Sequence, residues 1–324
     1  MNNIIVKIYI CLAIVTVIVC CTKYEQKEIA FSPLAQKTTK TIMTSTTYTD
    51  GGFVVTAYRN GTQLYFQDVA VKTHDASTNL WSGDVTCYWP MGGSLNFTAY
   101  SPYTLKTKGA TATQNAVNCS GYSISDTSDM GVDFCYASAE RSDCAADKSA
   151  VDLVFHHALS YINVNIGITG TYDNGSASGL QNSVSITINK VELQNIKSTG
   201  DFSYMTNSAS DVHWSSQANP VSYNITAPNG ESSVGFLMIP QTLSADAAIK
   251  VEYTIIQKVT NNGSEVRTIT TKHEGTAVIG DTTPSWEENK KITYDLNINP
   301  LQPITFSAVY SQEWDIQPDY TYQF

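Results

Sequence analysis

Histidine is the residue type in this chain best suited to bind a metal or to transfer protons at neutral pH. The five histidines are His74, His156, His157, His213 and His273. His156 and His157 are adjacent, and neighbouring side chains on a strand point to opposite faces, so the two could not share a metal. Neither His-Glu-x-x-His nor a two-His-one-carboxylate spacing is present. His157 alternates with Phe155 and Leu159, which predicts a half-buried packing residue hydrogen-bonded at one nitrogen. We therefore predict no metal site.

Carboxylates near the end of the chain are the next groups that could do chemistry. Glu313, Asp315 and Asp319 lie within EWDIQPD. Two carboxylates can hydrolyse a glycosidic bond only at a defined separation across a sugar cleft, and charge in this position is usually solvated. The segment GGSL lacks the Lys-Ser/Thr ending of a phosphate loop, and no Gly-x-Ser-x-Gly nucleophile turn occurs. The sequence predicts no catalytic residue and no cofactor, and hence a protein that is not an enzyme.

The first residues of the chain predict export. Lys7 precedes an apolar run from Ile8 to Val19, which is about half the length of a helix that crosses a bilayer. This pattern is typical of a secretory signal rather than of a membrane span. The run ends in Cys20 and Cys21, and a cysteine in this place is where a lipoprotein signal is cut and acylated. We predict lipidation at Cys21, with Cys20 as second choice, and a signal peptide at residues 1–20. Plain secretion is the alternative.

Four further cysteines follow the predicted signal: Cys87, Cys119, Cys135 and Cys144. An exported protein can join them as disulfides, and four cysteines allow three pairings. Three of them lie between Lys108 and Ala150, where weak periodicity indicates loops. No Cys-x-x-Cys pair with matching histidines occurs, so the spacing does not indicate zinc. The sequence leaves the pairing open.

Composition indicates an extracellular β-protein. Only 15% of the 324 residues are charged, and the 19 tyrosines lie among many threonine, serine and asparagine residues. β-branched and aromatic residues favour strands, and small polar residues favour turns. The formal net charge of −10 argues against nucleic acid and anionic membrane surfaces as partners, because both attract clustered lysine and arginine.

Alternation of apolar and polar residues recurs along the chain and predicts strands. GFVVTAYRNGTQLYFQDVAV predicts a hairpin with a two-residue turn at Asn60-Gly61. The alternation becomes clearest from Val151 onward, in VDLVFHHALSYINVNIGI, and no segment shows helical periodicity over three turns. We predict an all-β fold of two successive β-sandwich domains, an N-terminal one at residues 21–150 and a C-terminal one at residues 151–324.

The last six residues, DYTYQF, place an aromatic side chain at every second position: Tyr320, Tyr322 and Phe324. A strand with one aromatic face can complete the sheet of its own subunit. It can also add to the open edge of another subunit. The sequence leaves both roles open.

Four motifs, in order along the chain, resemble those of the fimbrillin family, the pilus and pilus-like surface lipoproteins of Bacteroidetes. YWPMGGSLNFTAYSP resembles the Tyr-Trp-Pro and aromatic-x-Ala-Tyr-x-Pro stretch of the family's N-terminal domain. LVFHHALSYINVNI is similar to its Phe-x-His-x-Leu-Ser strand, and FLMIPQTL is similar to its Ile-Pro-Gln turn. ITFSAVYSQEW is similar to the final strand and closing tryptophan of the minor-fimbrillin-like branch.

The resemblance implies two transthyretin-like β-sandwich domains, export as a lipoprotein to the outer membrane surface, and assembly into a fimbria. In the family, a trypsin-like protease removes the first strand, and a strand from a neighbouring subunit fills the groove. Carried over, KEIAFSPLA (Lys27 to Ala35) is the removable strand, and Lys40 is the processing residue, with Lys37 as second choice. The aromatic tail is the candidate donor strand. A lysine replaces the usual arginine, so an uncut subunit that serves as anchor or tip is also left open.

The partners that the resemblance implies are other fimbrillin subunits, the outer membrane through the lipid, and a host or bacterial surface ligand. The alternative is a surface glycan-binding lipoprotein that does not polymerise, in which exposed aromatic rings stack on sugars. The tryptophans are Trp81, Trp89, Trp214, Trp286 and Trp314, and we expect Trp89 to be structural. A patch of exposed Trp and Tyr on one face would favour this alternative.

Overall fold

The structure is a computed structural model, and it describes residues 26–35, 41–42, 52–124, 132–168, 180–206, 208, 213–225, 233–280, 285–298 and 305–313. The strands in chain order are β1 (Phe31–Ala35), β2 (Thr41–Ile42), β3 (Phe53–Arg59), β4 (Gln63–Asp75), β5 (Leu80–Gly83), β6 (Leu95–Ser101), β7 (Ala110–Ala112), β8 (Ala116–Ser123), β9 (Cys135–Arg141), β10 (Val151–His157), β11 (Ser160–Ile168), β12 (Leu180–Met205), β13 (Trp214–Ile225), β14 (Ser233–Met238), β15 (Gln241–Thr242), β16 (Ala248–Asn261), β17 (Ser264–Val278), β18 (Ser285–Trp286), β19 (Lys290–Ile298) and β20 (Thr305–Glu313). A 3-10 helix, Tyr103–Lys108, lies between β6 and β7.

The first half of the chain forms an eight-stranded sheet in the order β10-β9-β6-β3-β4-β5-β1-β2. An additional pairing between β10 and β1 joins its two ends, so seven of the strands form a ring. Inside this ring of strands lies an aromatic-rich core that includes Phe31, Phe53, Phe97 and Phe155. Each of these four phenylalanines is at most 2% exposed.

Strands of the second half, joined by β7 and β8 from the first half, form a six-stranded sheet, β17-β16-β12-β8-β7 with β13 beside β12. A four-stranded sheet, β14-β11-β19-β20, lies entirely in the second half. Inward residues of both sheets share one larger hydrophobic core. Ile162 and Val164 of β11 and Val191 and Leu193 of β12 are 0% exposed in it. The two sheets therefore form a β-sandwich-like arrangement around that core.

The all-β prediction is confirmed. The hairpin is confirmed as well, since Asn60 and Gly61 have φ of 50° and 76° and join β3 to β4. The loop is one residue longer than predicted, because Arg59 pairs with Gln63 and leaves three residues between them. The stretch between Lys108 and Ala150, which the sequence predicts to be rich in loops, contains β7 and β8 as well as β9.

The division into two domains near residue 150 stays a prediction. β10 follows that boundary, yet it pairs with β1 and β9 of the first sheet. β7 and β8 precede the boundary and lie in the sheet built around β12. Among the described residues, no helix is long and apolar enough to cross a membrane.

Candidate functional site

β1 closes the ring, and it lies in the segment that the resemblance in motifs implies is removable. It runs parallel to β10, with Phe31 opposite Val151 and Ala35 opposite Phe155. On its other side, Phe31 pairs with Trp81 of β5, and Leu34 pairs with Ile42 of β2. Both edges of β1 are thus in use, and its loss would leave β10 and β5 each with one unpaired edge, since β10 still pairs with β9 and β5 with β4.

Backbone hydrogen bonds extend the attachment of this segment toward its N-terminal side. The Ile29 N–H donates to the Cys87 carbonyl at 2.8 Å, and the Val151 N–H donates to the Ala30 carbonyl at 2.9 Å. The Trp89 N–H donates to the Lys27 carbonyl at 2.9 Å. Unpaired backbone groups in a buried place are costly. A groove emptied of this segment would therefore favour another extended chain.

Apolar burial adds to the backbone pairing. Ile29, Phe31 and Leu34 are 1%, 2% and 4% exposed. Burying an Ile, Leu or Phe side chain stabilises a protein by about 1.5–3 kcal/mol, so the three together contribute about 5–9 kcal/mol. A chain without β1 would expose this apolar surface to water.

The β1 seat consists of the residues that hold this strand: β10, Trp81 of β5, and the aromatic rings beneath Phe31. The Phe31 ring meets Phe53 edge-on at 5.9 Å and Phe97 at 6.2 Å between centroids. The Phe53 ring lies 5.4 Å from Phe155. Edge-to-face rings are a specific packing geometry, so the seat prefers a bulky aromatic or aliphatic side chain at this position.

Trp89 lies beside the β1 seat, as its structural assignment predicted. It is 3% exposed, and its ring packs edge-on against Phe97 at 6.3 Å. The Arg141 guanidinium lies 5.7 Å from the centre of the Trp89 ring. The prediction that Trp89 is a packing residue is confirmed.

Seven of the site residues predicted from the sequence fall outside the residues that the structure describes: Cys20, Cys21, Lys37, Lys40, Tyr320, Tyr322 and Phe324. Lipidation, processing and strand donation at these positions remain predictions. The carboxylates of Asp315 and Asp319 and the ring of Trp314 fall outside as well.

A cluster of three polar side chains, Asp133, Cys135 and His157, lies where the pairing of β9 with β10 ends. His157 Nδ1 is 2.8 Å from Asp133 Oδ1 and 3.5 Å from Cys135 Sγ. Burial, with a smaller contribution from the Asp133 carboxylate, raises the pKa of the Cys135 thiol well above its usual value. A catalytic triad needs the nucleophile and the orienting carboxylate on different ring nitrogens, whereas here both contact Nδ1.

The predicted packing role of His157 is confirmed, and its burial is deeper than the half-buried state expected. His157 is 3% exposed and is bonded through Nδ1. His156 contacts different neighbours, as expected for adjacent strand residues, and stacks on Tyr136 at 5.5 Å. Sequence reasoning did not single out Asp133. The signal for it is the Asp-x-Cys spacing, which places both side chains on one face of an extended segment.

A second polar cluster connects β9 to the second half of the chain. The Tyr136 hydroxyl donates to Glu288 Oε1 at 2.5 Å, and the same carboxylate contacts His213 Nδ1 at 2.9 Å. Burial and the Glu288 charge together raise the pKa of Tyr136. His156 lies against this cluster, and its pKa is lowered by burial first and then by the other two histidines nearby. These side chains join β9 and β10 of the first sheet to His213 and Glu288 in the second half of the chain.

The four cysteines whose pairing the sequence left open, Cys87, Cys119, Cys135 and Cys144, are all free thiols. Cys119 is buried, and burial raises its pKa to about 11.

Comparison with known proteins gives the following matches. A family model described as fimbrillin-like matches residues 30–312. A solved fimbrial protein from Bacteroides vulgatus is similar at a TM-score of 0.56 and 17% identity, over 88% of this chain and 99% of that one. A protein from Bacteroides uniformis, proposed to act in cell adhesion, is similar at a TM-score of 0.55 and 14% identity, over 89% of this chain and 98% of that one. A protein from Bacteroides ovatus with the same description is similar at a TM-score of 0.51 and 15% identity, over 90% of this chain and 99% of that one. Identities this low show a shared fold, and no curated protein matches the sequence.

Proposed function

The chain belongs to the fimbrillin-like family, and from this premise we propose that it is a structural subunit of a cell-surface fimbria. The observation that carries the proposal is the position of β1, which closes the ring through its parallel pairing with β10. On this proposal the chain works by binding other subunits rather than by catalysis. Adhesion to a host or bacterial surface ligand is the role of the assembled fiber.

Assembly proceeds by donor-strand exchange. Proteolysis after Lys40, or after Lys37 as second choice, frees the segment that contains β1. The open β1 seat then offers unpaired backbone groups of β10 and an apolar slot once filled by Ile29 and Phe31. A strand from a neighbouring subunit restores both, so exchange is favourable once the first strand has left.

The aromatic tail matches the β1 seat in spacing. Ile29, Phe31 and Pro33 are buried at every second residue of the first segment. Tyr320, Tyr322 and Phe324 repeat the same spacing at the other end of the sequence. Because successive side chains of a strand alternate between faces, a donor with this spacing can place three apolar groups into the slot. We assign the tail as the donor strand on this ground.

Export precedes assembly. The signal at residues 1–20 and acylation of Cys21, or of Cys20 as second choice, hold the new subunit at the outer membrane. Acyl chains anchor a protein through about 0.8 kcal/mol for each buried CH₂ group. A cut at Lys40 separates the lipid from the body of the subunit. An uncut chain stays on the membrane as the anchor of the fiber or occupies its tip.

A reversible disulfide between β1 and β10 tests whether β1 must leave for strand exchange to occur. Ser32 pairs with Asp152 in the parallel register. Ser32→Cys with Asp152→Cys places two thiols on adjacent strands, at a spacing that a disulfide can bridge. Cys87→Ser in the same background removes the one native cysteine that is not buried.

Native trypsin treatment is expected to cut this variant between Ala35 and Met43, and N-terminal sequencing identifies the site. No series of SDS-resistant oligomers should appear on a gel until a reductant breaks the engineered disulfide between β1 and β10. Each single-cysteine variant serves as the control and should polymerise with or without reductant. A ladder from the oxidised double variant would refute strand exchange at β1. A variant truncated before Asp319 should be cut normally but form no ladder.

Among the side chains that the structure describes, Tyr88, at 42%, is the one exposed Trp, Tyr or Phe, so they do not support the glycan-binding alternative. It would require exposed aromatic rings on one face, whereas Trp81, Trp89, Trp214 and Trp286 are 2%, 3%, 6% and 2% exposed. These four rings fill cores. We therefore do not propose the alternative as a second function.

A further inference from the structure

Two adjacent strands bring three different metal-binding side chains together at the end of one ladder. Cys135 is the first residue of β9 and pairs directly with His157, the last residue of β10. Asp133 lies two residues before Cys135 and therefore on the same face of the extended segment. One ligand atom from each residue lies within 4.8 Å of the others. The sequence predicted no metal here because the residues share no recognised spacing along the chain.

The separations suit a tetrahedral zinc site. Zinc–sulfur and zinc–nitrogen bonds of about 2.3 and 2.05 Å at a tetrahedral angle place the two ligand atoms about 3.6 Å apart. The Cys135 Sγ to His157 Nδ1 distance is 3.5 Å. Zinc–nitrogen and zinc–oxygen bonds require about 3.4 Å between ligand atoms. The Asp133 carboxylate oxygen lies 2.8 Å from His157 Nδ1, so it would move away by roughly 0.6 Å when zinc binds.

The burial of the three residues permits that adjustment. The side chain of His157 is 4% exposed and that of Asp133 is 39% exposed. Cys135 is 4% exposed. The two buried ligands are held by the strand ladder, whereas the carboxylate lies at the surface and can move. The exposed side of Asp133 also gives a metal its path of entry.

We propose that Asp133, Cys135 and His157 bind one Zn²⁺ ion, with water in the fourth position. The Cys135 thiol releases its proton to solvent and binds as a thiolate. The neutral His157 imidazole binds through Nδ1 and carries its proton on Nε2. The Asp133 carboxylate supplies one oxygen. A set of one sulfur, one nitrogen and one oxygen ligand suits zinc, and it does not suit Mg²⁺ or Ca²⁺, which prefer oxygen ligands alone.

The bound ion would fix the start of β9 to the end of β10. β10 is the parallel partner of β1, so the ion would brace one wall of the β1 seat whether or not β1 is in place. The metal site does not depend on how the chain assembles, since Cys135, His157 and the segment before β9 that carries Asp133 all stay with the body of the subunit.

Cobalt(II) titration of the full chain, freed of any polyhistidine tag, tests the site. Binding of one equivalent should produce thiolate-to-cobalt charge-transfer absorption and the strong visible bands of a tetrahedral ion. One equivalent of Zn²⁺ should abolish both signals, and excess Mg²⁺ or Ca²⁺ should not. A folded protein without the charge-transfer band, or with a band that Mg²⁺ removes, would overturn the proposal.

Matched variants separate ligation from folding. Cys135→Ser should lose the charge-transfer band, and Asp133→Asn should weaken Zn²⁺ binding by about 10-fold or more. The asparagine side chain keeps the shape of the native aspartate, so an unchanged melting temperature of the metal-free variant shows that it folds. Cys144→Ser and His156→Gln are the controls and should bind as the parent does. Zn²⁺ should raise the melting temperature of the parent in a saturable way, and an equal rise in Asp133→Asn would refute the site.

Discussion

β1 and β12 are held in the fold in opposite ways. β1 has five residues and gains its main pairing from a parallel strand far along the chain. β12 has 26 residues and pairs antiparallel with β13, β16 and β8. Without β1 the ladder from β10 through β5 remains continuous, but without β12 the six-stranded sheet divides. One strand can thus be exchanged for another of suitable shape, whereas the other cannot.

Deleting the first strand should have the largest effect. A chain that begins at Gln36 should lose about 5–9 kcal/mol of unfolding free energy, because three apolar side chains leave the β1 seat. A synthetic peptide with the sequence KEIAFSPLA should restore the melting temperature in a saturable way. The same peptide with Phe31→Asp is the control and should not. A truncated chain as stable as the full one would show that β1 is dispensable in the monomer.

Substitution in the two cores sharpens the contrast. Phe31→Ala should cost about 3–5 kcal/mol and Leu193→Ala about 2–5 kcal/mol in the monomer, because both side chains are buried. If β1 leaves on assembly, a fiber of Phe31→Ala subunits should be as stable as the parent fiber. A fiber of Leu193→Ala subunits should remain weaker. Denaturant unfolding of monomer and fiber measures the stability of each variant in the two states. An equal loss of stability in the Phe31→Ala and Leu193→Ala fibers would contradict strand exchange.

Gln241 tests how β12 keeps its register across a bulge. β12 shifts its pairing with β13 between Leu193 and Ile196. The Gln241 amide oxygen accepts from the Lys197 N–H at 2.8 Å, and its nitrogen donates to the Lys197 carbonyl at 3.1 Å. Gln241→Ala should cost about 1–3 kcal/mol, because it leaves the part-buried N–H and carbonyl groups of Lys197 without these side-chain bonds.

The matched control for that variant is Gln257→Ala, in the more exposed part of β16. A surface change of this kind should alter unfolding free energy by less than about 0.5 kcal/mol. Urea unfolding of both variants makes the comparison. An equal loss would mean that the side-chain bonds to Lys197 do not stabilise the bulge.

The smallest effect should come from lowering the pH, because acid protonates His156, which lies against the polar cluster of Tyr136, His213 and Glu288. The folded protein lowers the pKa of His156, chiefly through burial, so the unfolded chain takes up a proton first as the pH falls. The stability that His156 contributes is present above its unfolded pKa of about 6.5 and is lost as the pH falls through the lower folded value. Unfolding free energy should therefore begin to fall as the pH drops toward the unfolded pKa of about 6.5 and keep falling until the pH is below the folded pKa, and His156→Gln should reduce that fall. The same slope in the variant would assign the effect to another group.

The sequence predicted the strands with regular alternation and missed those without it. β6, β10, β11 and β19 lie where apolar residues alternate, because one face of each packs into a core. β8 contains Gly121, with a φ of 64°, and β13 contains Pro220, and both residues usually mark turns. Pairing with β12 stabilises these two strands where local propensity does not.

The candidate site was predictable in part. The first segment could be assigned as a strand, but its parallel pairing with β10 is a contact between distant residues that alternation does not encode. The same reason hid the cluster of Asp133, Cys135 and His157, whose members meet only because Cys135 and His157 become cross-strand neighbours. Ligand spacing within one segment is visible in a sequence, and spacing across a ladder is not.

The pairing of β1 with β10 also bears on the order of folding. Phe31 and Val151 are partners about 120 residues apart, and contacts at such separations form late and slowly. The first strand to be synthesised must therefore wait for its partner, while β3, β4 and β6 can pair with near neighbours. Until Val151 to His157 have been made, the ring cannot close. In that interval the slot beside β5 is open to any extended segment within reach, whether from the same chain or from a neighbour.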